Sequence, residues 1–142
     1  MEQLLEYTAR HPWLVSATGL AFVMVVAYEL RARAHAFGAV SPQEAIRLMN
    51  QHALVLDIRT AEQFAAGHVG GARHLPSAEI LQAGETLKKH LEKPIVVYDE
   101  SGSLGASAVR QLAAQGFKKA MNLRGGLAAW RTENLPVTKG SK

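Results

Sequence analysis

The chain has 142 residues, 48% of them hydrophobic and 20% charged, which excludes wholesale disorder and leaves room for one ordinary domain plus an appendage. Its net charge is +4, and the first 36 residues add nothing to it because their arginines and glutamates balance. The basic excess elsewhere is mild and scattered, with few aromatic residues, which argues against a nucleic-acid partner. The absence of cysteine excludes disulfides and thiolate metal sites.

The first element that the sequence predicts is a membrane-spanning helix over residues 12–30, preceded by a short segment of residues 1–11. No residue from Pro12 to Tyr28 is charged. The rings of Trp13 and Tyr28 stand at the two ends of this run, where aromatic side chains favour the membrane interface. A run that is apolar on every face favours a span over a buried core helix, so we expect this helix to contact the lipid bilayer.

A cleaved signal peptide is the alternative, since Ala34-His35-Ala36 resembles a cleavage site. A signal peptide carries its positive charge before the apolar run, whereas here Arg31 and Arg33 follow it. The same two arginines predict that the carboxyl-terminal domain is cytoplasmic. Ala17 and Ala21 form a small-xxx-small pair, which leaves helix pairing and a homo-oligomer open.

After a linker over residues 31–37, the sequence predicts a domain over residues 38–138 and a tail over 139–142. Ser41, Pro42 and Glu44 combine a cap residue, proline at the first helical position and a reciprocal cap, so a helix begins there and ends near Asn50. The further predicted elements are a strand at 53–57, a helix at 61–66 stopped by Gly67, a strand end at Leu75 before a helix capped by Ser77, partly helical residues 81–91, a strand at 94–98, a helix at 106–115, a strand at 120–123 and a helix that reaches Trp130. Short strands alternating with helices predict an α/β fold with a central parallel sheet flanked by helices.

Three groups of residues resemble signatures of the rhodanese-homology (rhodanese-like) domain family. They are Asp57-Ile58-Arg59 with Glu62, Phe64 and residues 67–72; Val96-Val97-Tyr98 with Gly102, Ala106 and Ala108; and Gly116-Phe117 with residues 123–126, Trp130 and residues 135–137. The resemblance covers about residues 38–138 and implies the family's three-layer fold. A single such domain behind an amino-terminal membrane helix also resembles the YibN-type proteins of Gram-negative bacteria, which implies a place in the bacterial inner membrane.

The resemblance implies that Asp99 occupies the position of the nucleophilic cysteine. In active members, backbone N–H groups of the loop and a helix amino terminus stabilise the charge of the cysteine sulfur. Here the loop consists of Asp99, Glu100, Ser101, Gly102, Ser103, Leu104 and Gly105, with Leu104 at a position that is often basic. We expect the Asp99 carboxylate to accept the loop N–H groups, and Glu100 to add a negative charge that repels an anionic sulfur donor.

The remaining motif residues are predicted to support the fold: Asp57, Arg59, Gly67, His68, Gly125, Gly126 and Trp130. Arg59 has the planar fork that suits a carboxylate, so we expect it to pair with Asp57 across a turn. His68 is interpreted as a hydrogen-bonded turn residue, because no second His, Asp or Glu lies at ligand spacing from it. Trp130 is interpreted as a core anchor.

These patterns predict a membrane-tethered, catalytically inactive module that binds an unidentified protein, with other membrane proteins among the candidates. The binding face would include Asp99, Glu100 and Leu104, where acidic groups would receive a basic segment. Two alternatives stay open: a sulfurtransferase with an atypical nucleophile or a partner's cysteine, and a membrane scaffold that acts by shape and oligomerisation. Ser101 and Ser103 have no histidine base in the loop, and neither a metal nor a cofactor is expected.

Overall fold

The computed structural model of the chain describes residues 12–36 and 38–140, and only the backbone of residues 31–36. The predicted amino-terminal segment at 1–11, residue 37 of the predicted linker and residues 141 and 142 of the predicted tail lie outside the described residues. Contacts between Cα atoms divide the chain into two compact units, Met1–Phe37 and Gly38–Lys142.

The first unit contains helix α1, Pro12–Ala36. Its stretch Pro12–Leu30 is, among the described residues, the one helix long and apolar enough to cross a membrane, a test that a signal sequence also passes. Its large side chains are exposed within the unit, Trp13 by 67% and Phe22 by 69%. The helix continues through Ala36 into the predicted linker because alanine and arginine, which dominate residues 31–36, are strong helix formers.

The second unit is built on seven short strands. They are β1 (Ala39–Val40), β2 (Leu54–Asp57), β3 (His68–Val69), β4 (Arg73–His74), β5 (Ile95–Tyr98), β6 (Ala120–Leu123) and β7 (Val137–Thr138). Five of them form a parallel sheet in the order β1-β6-β5-β2-β4, and β3 pairs with β7 in a separate antiparallel ribbon. The predicted parallel sheet is therefore confirmed.

Helices cover both faces of this sheet. They are α2 (Pro42–Asn50), α3 (Ala61–Ala66), α4 (Ala83–Thr86), α5 (Ser103–Ala114) and α6 (Gly126–Thr132), with 3-10 helices at Ser77–Gln82 and Lys88–His90. Because side chains of a strand alternate between faces, Ile95 and Val97 pack against Leu112 of α5 on one face. Val96 and Tyr98 pack with Leu127 and Trp130 of α6 on the other. This three-layer arrangement explains why β5 is apolar at every position.

Local hydrogen bonds account for the predicted start of α2. The Ser41 side chain accepts a hydrogen bond from the Glu44 N–H (3.2 Å), and the Glu44 carboxylate accepts one from the Ser41 N–H (2.9 Å). The prediction that Ser77 caps a helix is wrong. A 3-10 helix begins at Ser77 behind Pro76 and has no side-chain cap.

Candidate functional site: the loop after strand β5

The loop of residues 99–105 lies at the carboxyl end of the parallel sheet. Asp57 and Tyr98 are paired in register at the ends of β2 and β5, so Arg59 and Asp99 follow at the same edge. Crevices outside the carboxyl ends of parallel strands are where ligands bind in open α/β sheets. The fold thus brings two of the sequence motifs together at the position where a site is expected.

Asp99 is the centre of the loop. Its side chain is buried, and its carboxylate accepts hydrogen bonds from the N–H groups of Gly102 (2.8 Å), Leu104 (3.2 Å) and Gly105 (3.3 Å). Two of these donors belong to the first turn of α5, whose N–H groups have no partner within the helix. The hydrogen bonds expected of Asp99 are therefore present, and they place a carboxylate at the positive end of a helix.

The same hydrogen bonds explain why α5 begins at Ser103 instead of Ala106, where the sequence predicted its start. Gly102 stands at the cap position in the left-handed region (φ +91°) and has no side chain that could cap the helix. Asp99, three residues before Gly102, supplies the carboxylate oxygens that accept the N–H groups of Gly102 and Leu104. The helix can therefore begin within the loop.

Gly125 and Gly126, at the start of α6, allow this helix to approach the loop of residues 99–105 closely. The Leu127 N–H donates to the Asp99 carbonyl (2.9 Å), and the Ala128 N–H donates to the Glu100 carbonyl (3.0 Å). A Cβ on Gly126, whose φ is +58°, would lie 2.7 Å from the Glu100 carbonyl oxygen. Gly126 is thus required by the contact between the α6 amino terminus and the loop.

Asn122 of β6 binds the loop of residues 99–105 by a side-chain hydrogen bond that was not predicted from the sequence. Its Nδ2 donates to the Gly102 carbonyl (2.8 Å), and its side chain is buried. Its Oδ1 is buried beside Gly105 and has no hydrogen-bond partner among the described residues. An asparagine inside a short buried strand was the available signal, since buried polar side chains in strands need a specific partner.

Glu100 is held between two arginines. Its carboxylate accepts a hydrogen bond from Nη1 of Arg59 (3.0 Å) at one oxygen and from Nη1 of Arg131 (3.1 Å) at the other. The negative charge of Glu100 is therefore shared with two arginines, and its predicted contact with a basic partner segment stays a prediction. Arg131 lies 31 residues away along the chain, and no local pattern singled it out.

Arg59 also forms the predicted pair with Asp57, which is confirmed as a bidentate contact. Nε lies 3.0 Å from Oδ1 and Nη2 lies 2.6 Å from Oδ2, with both residues buried. Nη2 donates as well to the Gly67 carbonyl (2.7 Å). Burial opposes the charge of Arg59, but the hydrogen bonds and negative charge of Asp57 outweigh it and raise the pKa of the guanidinium. The Asp57–Arg59–Glu100 chain ties β2 to the loop.

The other motif residues lie in the core. Trp130 is buried and its Nε1 donates to the Pro136 carbonyl (2.9 Å), in agreement with an anchor. His68 is buried, stacks on Phe64 with ring centroids 3.8 Å apart, and its Nδ1 lies 2.8 Å from the Phe64 carbonyl oxygen. It belongs to β3 and pairs with Thr138, so the predicted turn is wrong although the predicted hydrogen bond is present.

A cleft of about 480 Å³ opens beside the loop. Its lining combines the carboxyl edge of β2 with the start of the first 3-10 helix and includes Arg59, Pro76, Ala78, Glu100 and Leu104. Leu104 stands at the rim of this cleft and is 59% exposed. The hydroxyls of Ser101 and Ser103 bond to each other (3.0 Å), and none of the described residues that line the cleft is a histidine.

Comparison with known proteins agrees with this geometry. The model of the rhodanese-like domain family matches residues 41–133. The chain is 33% identical to the uncharacterized protein YibN of Escherichia coli (strain K12), over 99% of each chain, and 37% identical to the thiosulfate sulfurtransferase GlpE of Ectopseudomonas mendocina, over 67% of this chain and 85% of that one. A rhodanese-related protein of Thermoplasma volcanium has a similar structure (TM-score 0.64, 22% identity, 70% of this chain and 96% of that one). The chain therefore belongs to the rhodanese-like domain family, as a relative of YibN without any cysteine.

Proposed function

We propose that this protein is a membrane-anchored rhodanese-like module without sulfurtransferase activity, which binds another protein at the face around loop 99–105. The observation that carries the loss of activity is the Asp99 carboxylate, which accepts three backbone N–H groups of the loop. In active members those groups serve a sulfur anion. A carboxylate forms no persulfide, and the chain contains no thiol to replace it.

Transfer of sulfur from thiosulfate to cyanide tests this part of the proposal. We expect the purified full-length protein in detergent to show no more activity than its Asp99→Ala variant. Asp99→Cys, which returns a thiol to the loop, serves as the matched variant for assay sensitivity. Activity of the native protein that Asp99→Ala abolishes would contradict the proposal. Activity that appears only with added membranes and disappears on thiol blocking would indicate a cysteine borrowed from a partner.

The anchor is helix α1. Ser16 and Thr18 donate their hydroxyl hydrogens to the carbonyls of Pro12 (2.8 Å) and Leu14 (2.9 Å), so their polar groups need no partner outside the helix. Arg31 and Arg33 follow the apolar stretch, which favours a cytoplasmic domain at the inner membrane of a bacterium.

Two measurements test the anchor and its orientation. The intact mass of protein extracted from membranes distinguishes a retained helix from a signal sequence cleaved after Ala36. A phosphatase that is active only outside the cytoplasm, fused after Lys142, reports the side of the domain. We expect a full-length mass and no phosphatase activity. A cleaved chain, or strong phosphatase activity, would contradict the assignment.

The binding face is the cleft with Leu104 at its rim. Both oxygens of Glu100 are engaged by arginines and Asp99 is buried, whereas the side chain of Leu104 is exposed and suits an apolar side chain of the partner. Tethering to a membrane raises the effective concentration of other membrane proteins near this face.

Photocrosslinking in cells tests this face. A photoreactive residue at Leu104 is compared with one at Leu81, which is 71% exposed and does not line the cleft. We expect a protein adduct at Leu104 that a second substitution, Ala78→Arg inside the cleft, removes. Equal adducts at the two positions would exclude the cleft as the binding face.

A further inference from the structure

The fold gathers a set of basic side chains that is scattered along the sequence. We call this set the basic end: Lys93, Lys118 and Lys119 precede β5 and β6 at the amino end of the parallel sheet, Lys88 and Lys89 belong to the 3-10 helix before β5, and Arg73 begins the edge strand β4. All six are exposed. These charges are dispersed along the sequence, and the fold brings those before β5 and β6 to neighbouring strand beginnings.

Backbone contacts bring the two lysine-containing segments together. The Ile95 N–H donates to the Lys119 carbonyl (3.0 Å), so the loop before β6 lies directly beside the loop before β5. In the same region Gly116 lies next to Leu91. A Cβ added to this glycine would be 3.6 Å from Leu91 Cδ2. Lys93 and Lys119 therefore stand at adjacent strand beginnings, which in a parallel sheet share one edge.

His90 lies within electrostatic reach of three residues of the basic end. Burial first, and then the positive charges of Lys93, Arg73 and Lys89, lower the pKa of His90. None of the six basic side chains forms an ion pair with a residue in the part of the chain that the structure describes. Within residues 88–93 the acidic residue is Glu92, so the six basic residues of the basic end outnumber it.

The chain also enters the second unit at this end. Gly38 precedes β1, and a Cβ added there would lie 3.8 Å from the carbonyl oxygen of Ala120, the residue after Lys119. Residues 31–37 separate Gly38 from the apolar stretch of α1, and seven residues reach at most about 25 Å when fully extended. If α1 is the anchor proposed above, the second unit therefore begins within about 25 Å of the end of the apolar stretch.

We propose that the basic end docks on anionic phospholipid headgroups and so turns the cleft at loop 99–105 away from the bilayer. This inference rests on the proposed anchor. Lysine is a compact, strongly hydrated charge that suits a diffuse anionic surface, and juxtamembrane lysines are attracted to such lipids. The basic end consists of five lysines and one arginine and has no aromatic side chain for stacking on bases, which disfavours nucleic acid as the occupant.

The test uses the full-length protein in nanodiscs, where the absence of native cysteine allows one label at one site. A fluorophore is attached at Gln51→Cys, an exposed position before β2 at the basic end, or at Ser101→Cys on the opposite loop. Spin-labelled headgroups then quench a fluorophore that lies at the bilayer surface. We expect strong quenching at position 51 in discs with 30% phosphatidylglycerol, weak quenching there in pure phosphatidylcholine, and weak quenching at position 101 in both.

Matched variants measure the contribution of charge. Lys118→Gln with Lys119→Gln removes two charges from the basic end, whereas Arg47→Gln with Arg124→Gln removes two exposed charges elsewhere. A basic residue near an anionic surface contributes roughly 5-fold in binding, so the lysine pair should lower the ratio of docked to undocked domain roughly 25-fold and the arginine pair should leave it unchanged.

Three results would overturn the proposal. The first is quenching at position 51 that does not depend on phosphatidylglycerol. The second is equal loss for the two variant pairs. The third is release of the domain from phosphatidylglycerol discs by equimolar duplex DNA, which would make nucleic acid the preferred occupant. Failure of the anchor itself is recognised separately, since the protein would then elute apart from the discs.

Discussion

Replacing Asp99 by alanine is the perturbation that most directly examines the loop. Asp99→Ala leaves the N–H groups of Gly102, Leu104 and Gly105 without their acceptor. A hydrogen bond to a charged group contributes about 1.5–3 kcal/mol. Only the bond to Gly102, at 2.8 Å, is short, and water reaches part of the loop, so we expect a total loss of about 3 kcal/mol of unfolding free energy.

The assay is urea unfolding of the full-length protein in detergent, in a Trp13→Phe background that leaves Trp130 as the single tryptophan. Trp130 is buried, so its fluorescence reports unfolding of the domain. With a urea m value of about 1.5 kcal/mol/M, a loss of 3 kcal/mol lowers the midpoint by about 2 M. Asp99→Asn, which keeps one carbonyl oxygen and the shape, should lose roughly half as much.

Ser101→Ala is the control on the same loop, since its exposed hydroxyl bonds only to Ser103. We expect it to stay within about 0.5 kcal/mol of the parent. The reasoning is refuted if Asp99→Ala also stays within that margin. The carboxylate would then not be what holds the loop, and its hydrogen bonds would be replaced by water without cost.

Three further predictions concern the surroundings of the loop. Gly105→Ala places a methyl group against the Asn122 side chain, 3.0 Å from its Cγ. In urea unfolding the variant should lose about 1–3 kcal/mol of unfolding free energy, and clearly less than that in an Asn122→Ala background. An equal loss in both backgrounds would contradict this contact. Arg59→Ala leaves the buried Asp57 carboxylate unpaired and should lower the unfolding free energy by about 3–5 kcal/mol in the same assay. Adding Asp57→Asn, which removes the unpaired charge, should restore part of this free energy. No recovery would argue against an electrostatic cause. The pKa of His90 is lowered from its usual 6.5, so below about pH 6.5 the unfolded chain binds a proton more readily than the folded domain, and stability decreases as the pH is lowered. Between pH 7 and pH 5 the melting temperature should therefore decrease less for His90→Gln than for the parent. Equal decreases for the two proteins would count against this role of His90.

Interactions between residues close in sequence were predicted well. The capping box of Ser41 and Glu44 spans three residues, and the hydrogen bonds of Asp99 span three to six. The pairing of Asp57 with Arg59 spans two. Such contacts depend on local backbone geometry, which residue types near a strand end or helix start largely specify.

Contacts that depend on the order of the strands were not predicted. The pairing of Glu100 with Arg59 and Arg131 was not predicted, because these partners lie 41 and 31 residues away. His68 was assigned to a turn because its strand partner, Thr138, lies near the other end of the chain. The support of the Gly102 carbonyl by Asn122 likewise requires β5 and β6 to be neighbours.

By itself, the sequence determined that this domain has a carboxylate where its family uses sulfur, that no other residue supplies a thiol, and that an apolar helix precedes the domain. Only the tertiary structure decided the electrostatic character of the two ends of the sheet. At one end arginines pair with Glu100, and at the other lysines from separate loops lie at neighbouring strand beginnings. The physical reason is that Coulomb interactions depend on distances in space, and these distances are set by the packing of strands and helices that are far apart in the chain.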